Sequence, residues 1–343
     1  MGVNISEIIP RKEIEITELK GKVVAIDAFN TLYQFLTTIR QPDGTSLMDS
    51  KGRITSHLSG LFYRTINLLI EGVKPVFVFD GKPPELKMAE LAKRKEAKIR
   101  AMEKYEIAKK DGDSGEMRKY SGRFVKITEE IIQESKDLLS AMGVPWIQAE
   151  SEGEAEASVL ARNNMVWAAA SQDYDALLYG TPILIRNLTL ARRRKNGAGI
   201  YIDIGIEKIE FSQVLNSLGI DRDQLICLAI LVGTDYNPGG VKGLGQKKSL
   251  EIVQRNKYPL EIFDYVERNE SLELNFDWKI IFKQFKDYSA SFEETIVFGK
   301  VNEEALRKLL SEHDFSINRI DSGLEKLRKI NDKKKQKGLG DFF

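Results

Sequence analysis

Glu152, Glu154, Asp173 and Asp175 fall within one short stretch, ESEGEAEASVLARNNMVWAAASQDYDALLYG, at positions 150–180. Carboxylates brought together in low dielectric cannot all stay ionised unless a cation neutralises them. Such a set therefore points to a hard, oxygen-ligated ion such as Mg2+. A plainer account also fits this stretch taken alone. In it Glu154 caps a helix, Glu152 favours the positive helix end, and Asp173 and Asp175 line a turn.

The elements that must position these acids are legible. Ser151 is a good N-cap, and Ser151-x-x-Glu154 spells a capping box, opening a helix that runs to Asn163 or Asn164. MVWAAA is an apolar run long enough for a buried strand. It delivers Asp173 and Asp175 just past its carboxyl end, where ligands sit in open α/β sheets. The pattern recurs upstream. GKVVAID is a strand ending at Asp27, followed by AFNTLYQFLTTIR with helical spacing. After a loop over 41–53 and an amphipathic helix, SHLSGLFYRTINLLIEG, the strand KPVFVFD ends at Asp80. One aspartate at a strand end is a turn residue by default. Three, on strands separated by helices, imply a parallel sheet with carboxylates gathered along one edge.

Composition narrows the class. The 343 residues suffice for one large domain or two, and 42% apolar with 30% charged residues is ordinary for a soluble protein. A net charge of +1 gives no argument for nucleic acid, so charge distribution must carry that case. The single cysteine, Cys227, lies in the apolar run QLICLAILVG and reads as a buried thiol, and a disulfide framework is excluded. His57 and His313 are too few for a zinc site of the usual kind. No signal pattern or apolar run of membrane-spanning length is present, so an intracellular soluble protein is expected.

Charge is concentrated locally. ELKMAELAKRKEAKIRAMEKYEIAKK (85–110) is helical by propensity but has little apolar surface to bury, and DGDSGE at 111–116 breaks it. A second helical stretch returns through Arg123–Lys126 toward ITEEIIQESKDLLSAMG. This is either a solvated, salt-bridged helix or an excursion beside the acids whose basic side chains meet phosphates. PILIRNL is another strand, ARRRKNGAG (191–199) a basic hairpin tip, and IYIDI its return. Arg192, Arg193, Arg194 and Lys195 there serve either a solvated turn or a phosphate contact. IEFSQVLNSLGI and DRDQLICLAILVGTDY read as helices, the second ending in Thr234-Asp235-Tyr236. The turn Gly243-Leu244-Gly245 then opens a helix bearing Lys247 and Lys248, and helix N-termini offer N–H groups to phosphate. Residues 258–330 read as short amphipathic helices whose aromatics, Phe276, Trp278, Phe282 and Phe285, are core. NDKKKQKGLGDFF closes the chain as a basic, flexible tail. Its Phe342 and Phe343 suit an anchor for a partner's pocket.

Taken together, these stretches resemble the flap endonuclease family of structure-specific 5′ nucleases. IDAFNTLYQFL, FDGKPPELKMAELAKR, SEGEAEA, AAASQDYDALLYG, VGTDYNPGGVKGLG and QKGLGDFF follow the family's order over almost the whole chain. The resemblance is to the archaeal form, and it implies a cytoplasmic location and a protein that is monomeric on its own. It implies an α/β fold with a mostly parallel central sheet flanked by helices, one domain over 1–330, and a tail over 331–343. A helical arch at about 82–130 would pass a 5′ single strand. A helix–turn–helix at about 225–255 would grip duplex backbone and hold a K+ ion at Gly243–Gly245.

Residue by residue, the resemblance makes Asp27, Asp80, Glu152, Glu154, Asp173, Asp175 and Asp235 metal-site carboxylates for two Mg2+, with Mn2+ able to substitute. Glu156 is an additional acid not assigned to the metals. Lys87 and Arg94 match the basic pair that holds the scissile phosphate, and Tyr33 the aromatic that stacks on a base near the cut. Arg64 joins the DNA contacts, and Gly2 matches the residue left first after Met removal, close to the active site. Gln336, Leu339, Phe342 and Phe343 match the motif that docks on the sliding clamp.

The chemistry agrees with that resemblance. Two divalent ions roughly 4 Å apart can offset such an excess of carboxylate, activate water and stabilise both oxygens of an in-line displacement. No His, Ser or Cys nucleophile is evident. Expected substrates are flap, nicked and gapped DNA, cut by metal-dependent hydrolysis to leave 5′-phosphate and 3′-hydroxyl ends, with 5′-3′ exonuclease activity besides. Two other readings stand beside this one: a smaller-domain ribonuclease or general exonuclease of related fold, and a clamp-tethered DNA-binding scaffold without catalysis.

Overall fold

The computed structural model describes residues 2–41, 44–190, 193–195, 201–289, 292 and 295–340, with the side chains of 114, 118, 193–195, 201 and 331–340 excepted. Its centre is a seven-stranded sheet. In chain order the strands are β1 (Lys12–Ile14), β2 (Val23–Asp27), β3 (Lys74–Phe79), β4 (Trp146–Gln148), β5 (Ala168–Ala170), β6 (Ile183–Arg186) and β9 (Ile206–Glu210). They lie side by side as β1-β9-β6-β5-β2-β3-β4. The pairs among β2 to β6 are parallel, and β9 runs antiparallel to both β6 and β1. A separate hairpin pairs β7 (Arg193–Lys195) with β8 (Tyr201–Asp203). The expected hairpin is therefore present, although Arg192 and its tip lie outside the described residues.

Alternation along the strands builds a core on each face. Val24, Ile26, Phe77, Phe79, Ala168 and Ala170 pack in one cluster, and Ala25, Val76, Val78 and Ala169 in another. Being buried on both faces is what turns these strands into continuous apolar runs. The first face carries α1 (Ala28–Thr38), α2 (Ser56–Ile70), α5 (Glu129–Ala141), α13 (Glu303–Glu312) and α14 (Ile317–Gly340). Truncating Phe77 or Phe79, both about 1% exposed, to Ala would cost roughly 3–5 kcal/mol. Across the sheet lie α6 (Gly153–Arg162) and α7 (Asp175–Leu178). Beyond them come α8 (Phe211–Leu218), α9 (Arg222–Val232), α10 (Gln246–Arg255), α11 (Pro259–Arg268) and α12 (Trp278–Lys286). Phe285 is buried there, and Phe276, Trp278 and Phe282 pack against the same cluster, as the sequence suggested.

Between β3 and α5 the chain leaves this body as α3 (Met88–Lys110) and α4 (Ser114–Ser121), the excursion expected over 82–130. Only Ala101 and Ala108 of α3 are buried.

Three strands escaped the sequence reading, and one helix boundary moves with them. β1 and β4 span three residues each, too short to show periodicity. The sequence places a helix from Ile209, whereas residues 206–210 form β9 and the helix begins at Phe211. The reason is physical: Ile206 packs on one face of the sheet and Ile209 on the other, so a strand buried on both sides mimics an i, i+3 helical spacing. Helix α9 also stops earlier than read, at Val232, where Gly233 takes φ 109°. At the other end α14 continues to Gly340, past the expected tail boundary at 331. Gln336 and Leu339 lie on it, while Phe342 and Phe343 fall outside the described residues. No helix among the described residues is long and apolar enough to cross a membrane.

Candidate active site

The carboxyl ends of β2, β3 and β5 open onto one crevice. Asp27 closes β2 and accepts a hydrogen bond from the backbone N–H of Asn30, so one residue ends the strand and caps α1 (2.9 Å). Asp80 follows β3 and accepts from the N–H of Gly153 at the start of α6 (2.7 Å). Gly81 makes that closeness possible: a Cβ there would lie 2.2 Å from the carbonyl oxygen of Ala149. Asp173 accepts from Gly2 N–H (3.1 Å) and Asn30 Nδ2 (3.3 Å), and Asp175 from Val3 N–H (2.6 Å). The first residues of the chain therefore lie against the acids, as expected for Gly2. A Cβ at Gly2 would come within 2.6 Å of Asp175 Oδ1.

The capping box does not form. The N-cap of α6 is Glu152 rather than Ser151, with no side-chain cap. Glu154 turns away from the helix start, accepts the N–H of Ala176 (3.2 Å) and faces the other acids. The site has taken the residue that capping would have used.

The electrostatics show how closely the acids are gathered. Burial, then Asp80 and Asp173, push Asp27 up to about 8. Burial, then Asp173, Asp175 and Asp27, hold Glu154 well above the usual carboxylate range. Burial raises Asp80. Asp175 rises to about 6, by burial and then Asp235 and Asp173. Asp235 goes the other way. Burial pushes it up, but Lys87 and Arg94 outweigh that and hold it low. Lys87 Nζ pairs with Glu152 Oε1 and lies 3.3 Å from Asp235 Oδ2, and Arg94 donates to Asp235 Oδ1 at 2.6 Å. The seven predicted acids and both predicted bases thus form one connected set.

All seven acids offer only carboxylate oxygens, and raised acids neighbouring one another suit divalent charge, so the donor set fits a hard cation. Among the described residues no group of three or more His, Cys, Asp or Glu side chains is already set to hold a metal. The acids are gathered rather than caged.

Three further residues belong here that the sequence reading did not single out. Asn30 binds both Asp27 and Asp173. Tyr179 and Tyr236 place their hydroxyls on Glu152 Oε2. Burial pushes both phenols up, so they remain hydroxyl donors. Their positions beside acids, in DALLYG and TDY, were the available signal. Glu156 sits apart from the acidic set. Fully buried, it accepts from Phe292 N–H (2.9 Å) and Tyr288 Oη (3.2 Å).

The remaining predicted contacts surround the crevice. Tyr33 on α1 is 40% exposed, with Lys98 of α3 5.8 Å from its ring centre. Arg64 lies half-buried on α2, and Lys247 and Lys248 are exposed on the first turn of α10. Gly243 takes φ 88° in the turn before that helix, and Gly245 is its N-cap. α9, this turn and α10 supply the expected helix–turn–helix.

Comparison with known proteins places this architecture. Family models for the XPG N-terminal domain and the XPG I-region match residues 3–101 and 143–235. The chain is 52% identical to the Flap endonuclease 1 of Pyrococcus furiosus over 100% of its own length and 99% of that protein's. It is 51% identical to that of Thermococcus onnurineus, with the same coverage. Among solved structures it is similar to flap endonuclease-1 from Methanococcus jannaschii, with a TM-score of 0.76 at 40% identity, covering 97% of this chain and all of that one. The fold also matches the catalytic core of Rad2 in complex with DNA substrate, with a TM-score of 0.70 at 24% identity, covering 92% and 96% of the two chains. The chain belongs to the flap endonuclease family of structure-specific nucleases.

Proposed function

We propose that the crevice hydrolyses DNA phosphodiesters at the base of a 5′ flap, and trims 5′ ends as an exonuclease, in Okazaki fragment maturation and repair. The observation that carries this is the convergence of the seven carboxylates with Lys87 and Arg94 at the mouth of a helical excursion. Asp27, Asp80, Glu152, Glu154, Asp173, Asp175 and Asp235 would hold two divalent cations, Mg2+ or Mn2+, which supply an activated water and charge stabilisation when bound. Lys87 and Arg94 bind the scissile phosphate and offset its developing charge. Arg94 lies on α3, of which only Ala101 and Ala108 are buried, and Lys87 immediately precedes that helix.

Tyr33 offers an exposed ring for a base next to the cut, and α3 with α4 forms the arch over the single strand. Arg64, Lys247 and Lys248 take duplex phosphates, as do the N–H groups that follow Gly243 and Gly245. The left-handed turn at Gly243 is where a K+ ion would sit. Phosphate contacts carry no sequence information directly, so specificity lies in junction shape. The tail residues Gln336, Leu339, Phe342 and Phe343 dock on a sliding clamp.

The test is cleavage of a labelled double-flap DNA with Mg2+ and with EDTA, beside the Asp173→Ala protein. Mg2+-dependent incision at the flap base, absent in the variant, is expected. Tight flap binding without incision under Mg2+ or Mn2+ would make the chain a structure-specific binder instead.

A further inference from the structure

Beneath the acids lies a cluster of phenols that the nuclease reading leaves without a role. Tyr179 ends α7 and is 2% exposed, and Tyr236 lies in the connection after α9, 8% exposed. Their hydroxyls are 2.9 Å apart, and both reach the same carboxylate oxygen, Glu152 Oε2, Tyr179 at 3.1 Å. The other oxygen, Oε1, faces Lys87. The ring of Tyr236 also lies 5.9 Å from Lys87 Nζ. One phenol thus touches both a predicted metal acid and a predicted phosphate base.

The rings are themselves held firmly. Phe285 of α12 packs against both, with ring centres 5.1 Å away in each case. Tyr288 packs on Tyr179 at 5.5 Å, and its hydroxyl donates to the buried Glu156. Arg162 at the end of α6 donates to the carbonyl oxygens of both Tyr179 and Tyr288, at 3.0 Å each. On the Tyr236 side, Asn237 ties Thr234 to the carbonyl of Ile230, which fixes the turn. α6 therefore supplies Glu152 at its head, and Glu156 and Arg162 further along it.

We infer that Tyr179 and Tyr236 are positioning residues for the acidic centre: their paired hydroxyls fix one oxygen of Glu152 so that its other oxygen is presented to a cation or to Lys87. Glu156, through Tyr288, is the buttress of that pair rather than a ligand. Groups that orient a metal-binding carboxylate typically change metal affinity or activity by about 10–100-fold when removed.

This inference rests on the nuclease reading, and the experiment separates the two. Tyr179→Phe, Tyr236→Phe and the double variant keep the rings and delete the hydroxyls. Calcium binding to the DNA-free protein by calorimetry, single-turnover flap cleavage against Mg2+ concentration, and flap affinity in Ca2+ are measured together. Calcium affinity should fall about 10-fold in Tyr236→Phe and further in the double variant. The half-saturating Mg2+ for cleavage should rise in parallel, while flap affinity and melting temperature stay put. A merely structural role would lower the melting temperature and leave the Mg2+ profile unmoved. Should the double variant lose its fold, Tyr236→Phe alone decides. Unchanged calcium affinity and Mg2+ profile in Tyr236→Phe, beside an active parent, would overturn the inference. A parent that neither binds calcium nor cuts flaps would overturn the nuclease reading first.

Discussion

Replacing Asp27 by Asn tests whether the acidic centre stores charge repulsion. Asp27 is 7% exposed, and burial, then Asp80 and Asp173, push its carboxyl from 3.8 up to about 8. The folded chain holds this proton more tightly than the unfolded chain does. Its stability is therefore fully present below 3.8 and lost as pH rises through that window. At about 1.4 kcal/mol per pKa unit, the ceiling on the cost is about 2 kcal/mol at pH 5 and about 5 kcal/mol at pH 8. Asp80 shares the repulsion and water entering the crevice screens it, so a pH-dependent difference of about 2 kcal/mol is expected. Asn is nearly isosteric and keeps the Oδ1 that accepts the Asn30 N–H. In EDTA, chemical denaturation should find Asp27→Asn about 2 kcal/mol more stable than the parent at pH 8, with the gain shrinking toward pH 5. Cleavage should vanish at both. Excess Mg2+ should erase the gain by stabilising the parent. A gain independent of pH, or a loss of stability at pH 8, refutes the reasoning.

Other perturbations separate chemistry from support. Lys87→Ala should slow single-turnover cleavage by about 100-fold while leaving flap affinity in Ca2+ within a few-fold. An equal loss of binding would move Lys87 from the reaction to docking. Glu156→Ala strands the Phe292 N–H and the Tyr288 hydroxyl, so thermal melting should report a loss of about 3 kcal/mol, and an unchanged melting temperature would dismiss its role as a buried pin. Phe342→Ala with Phe343→Ala should weaken sliding-clamp binding with basal cleavage intact, and parallel loss of both would end that division of labour.

What was legible in the sequence follows from how each residue is used. Asp27, Asp80, Asp173 and Asp175 were readable because apolar strands buried on both faces announce themselves, and the acids sit at or just past their ends. Glu154 was found with two roles open, a local cap and a member of the acidic set. Its spacing from Ser151 matches a local cap, and only tertiary packing shows that its carboxylate faces Asp27, Asp173 and Asp175 instead. β9 was hidden because burying Ile206 and Ile209 on opposite faces imitates a helical stripe. Tyr179 and Tyr236 were passed over for another reason. Aromatics beside a catalytic motif are ordinarily core, and only the convergence of two hydroxyls on one oxygen separates these from filler.

The thin anchoring of α3 has a thermodynamic consequence. Twenty-three residues with two of them buried contribute little to global cooperativity, whereas β2 and β3 are closed on both faces. Hydrogen exchange should therefore divide this chain into two tiers, with α3 amides opening at small free energy and strand amides exchanging only when the whole domain unfolds. A helix of low opening energy beside a sheet of high opening energy can be unmade and remade many times in the life of one folded molecule.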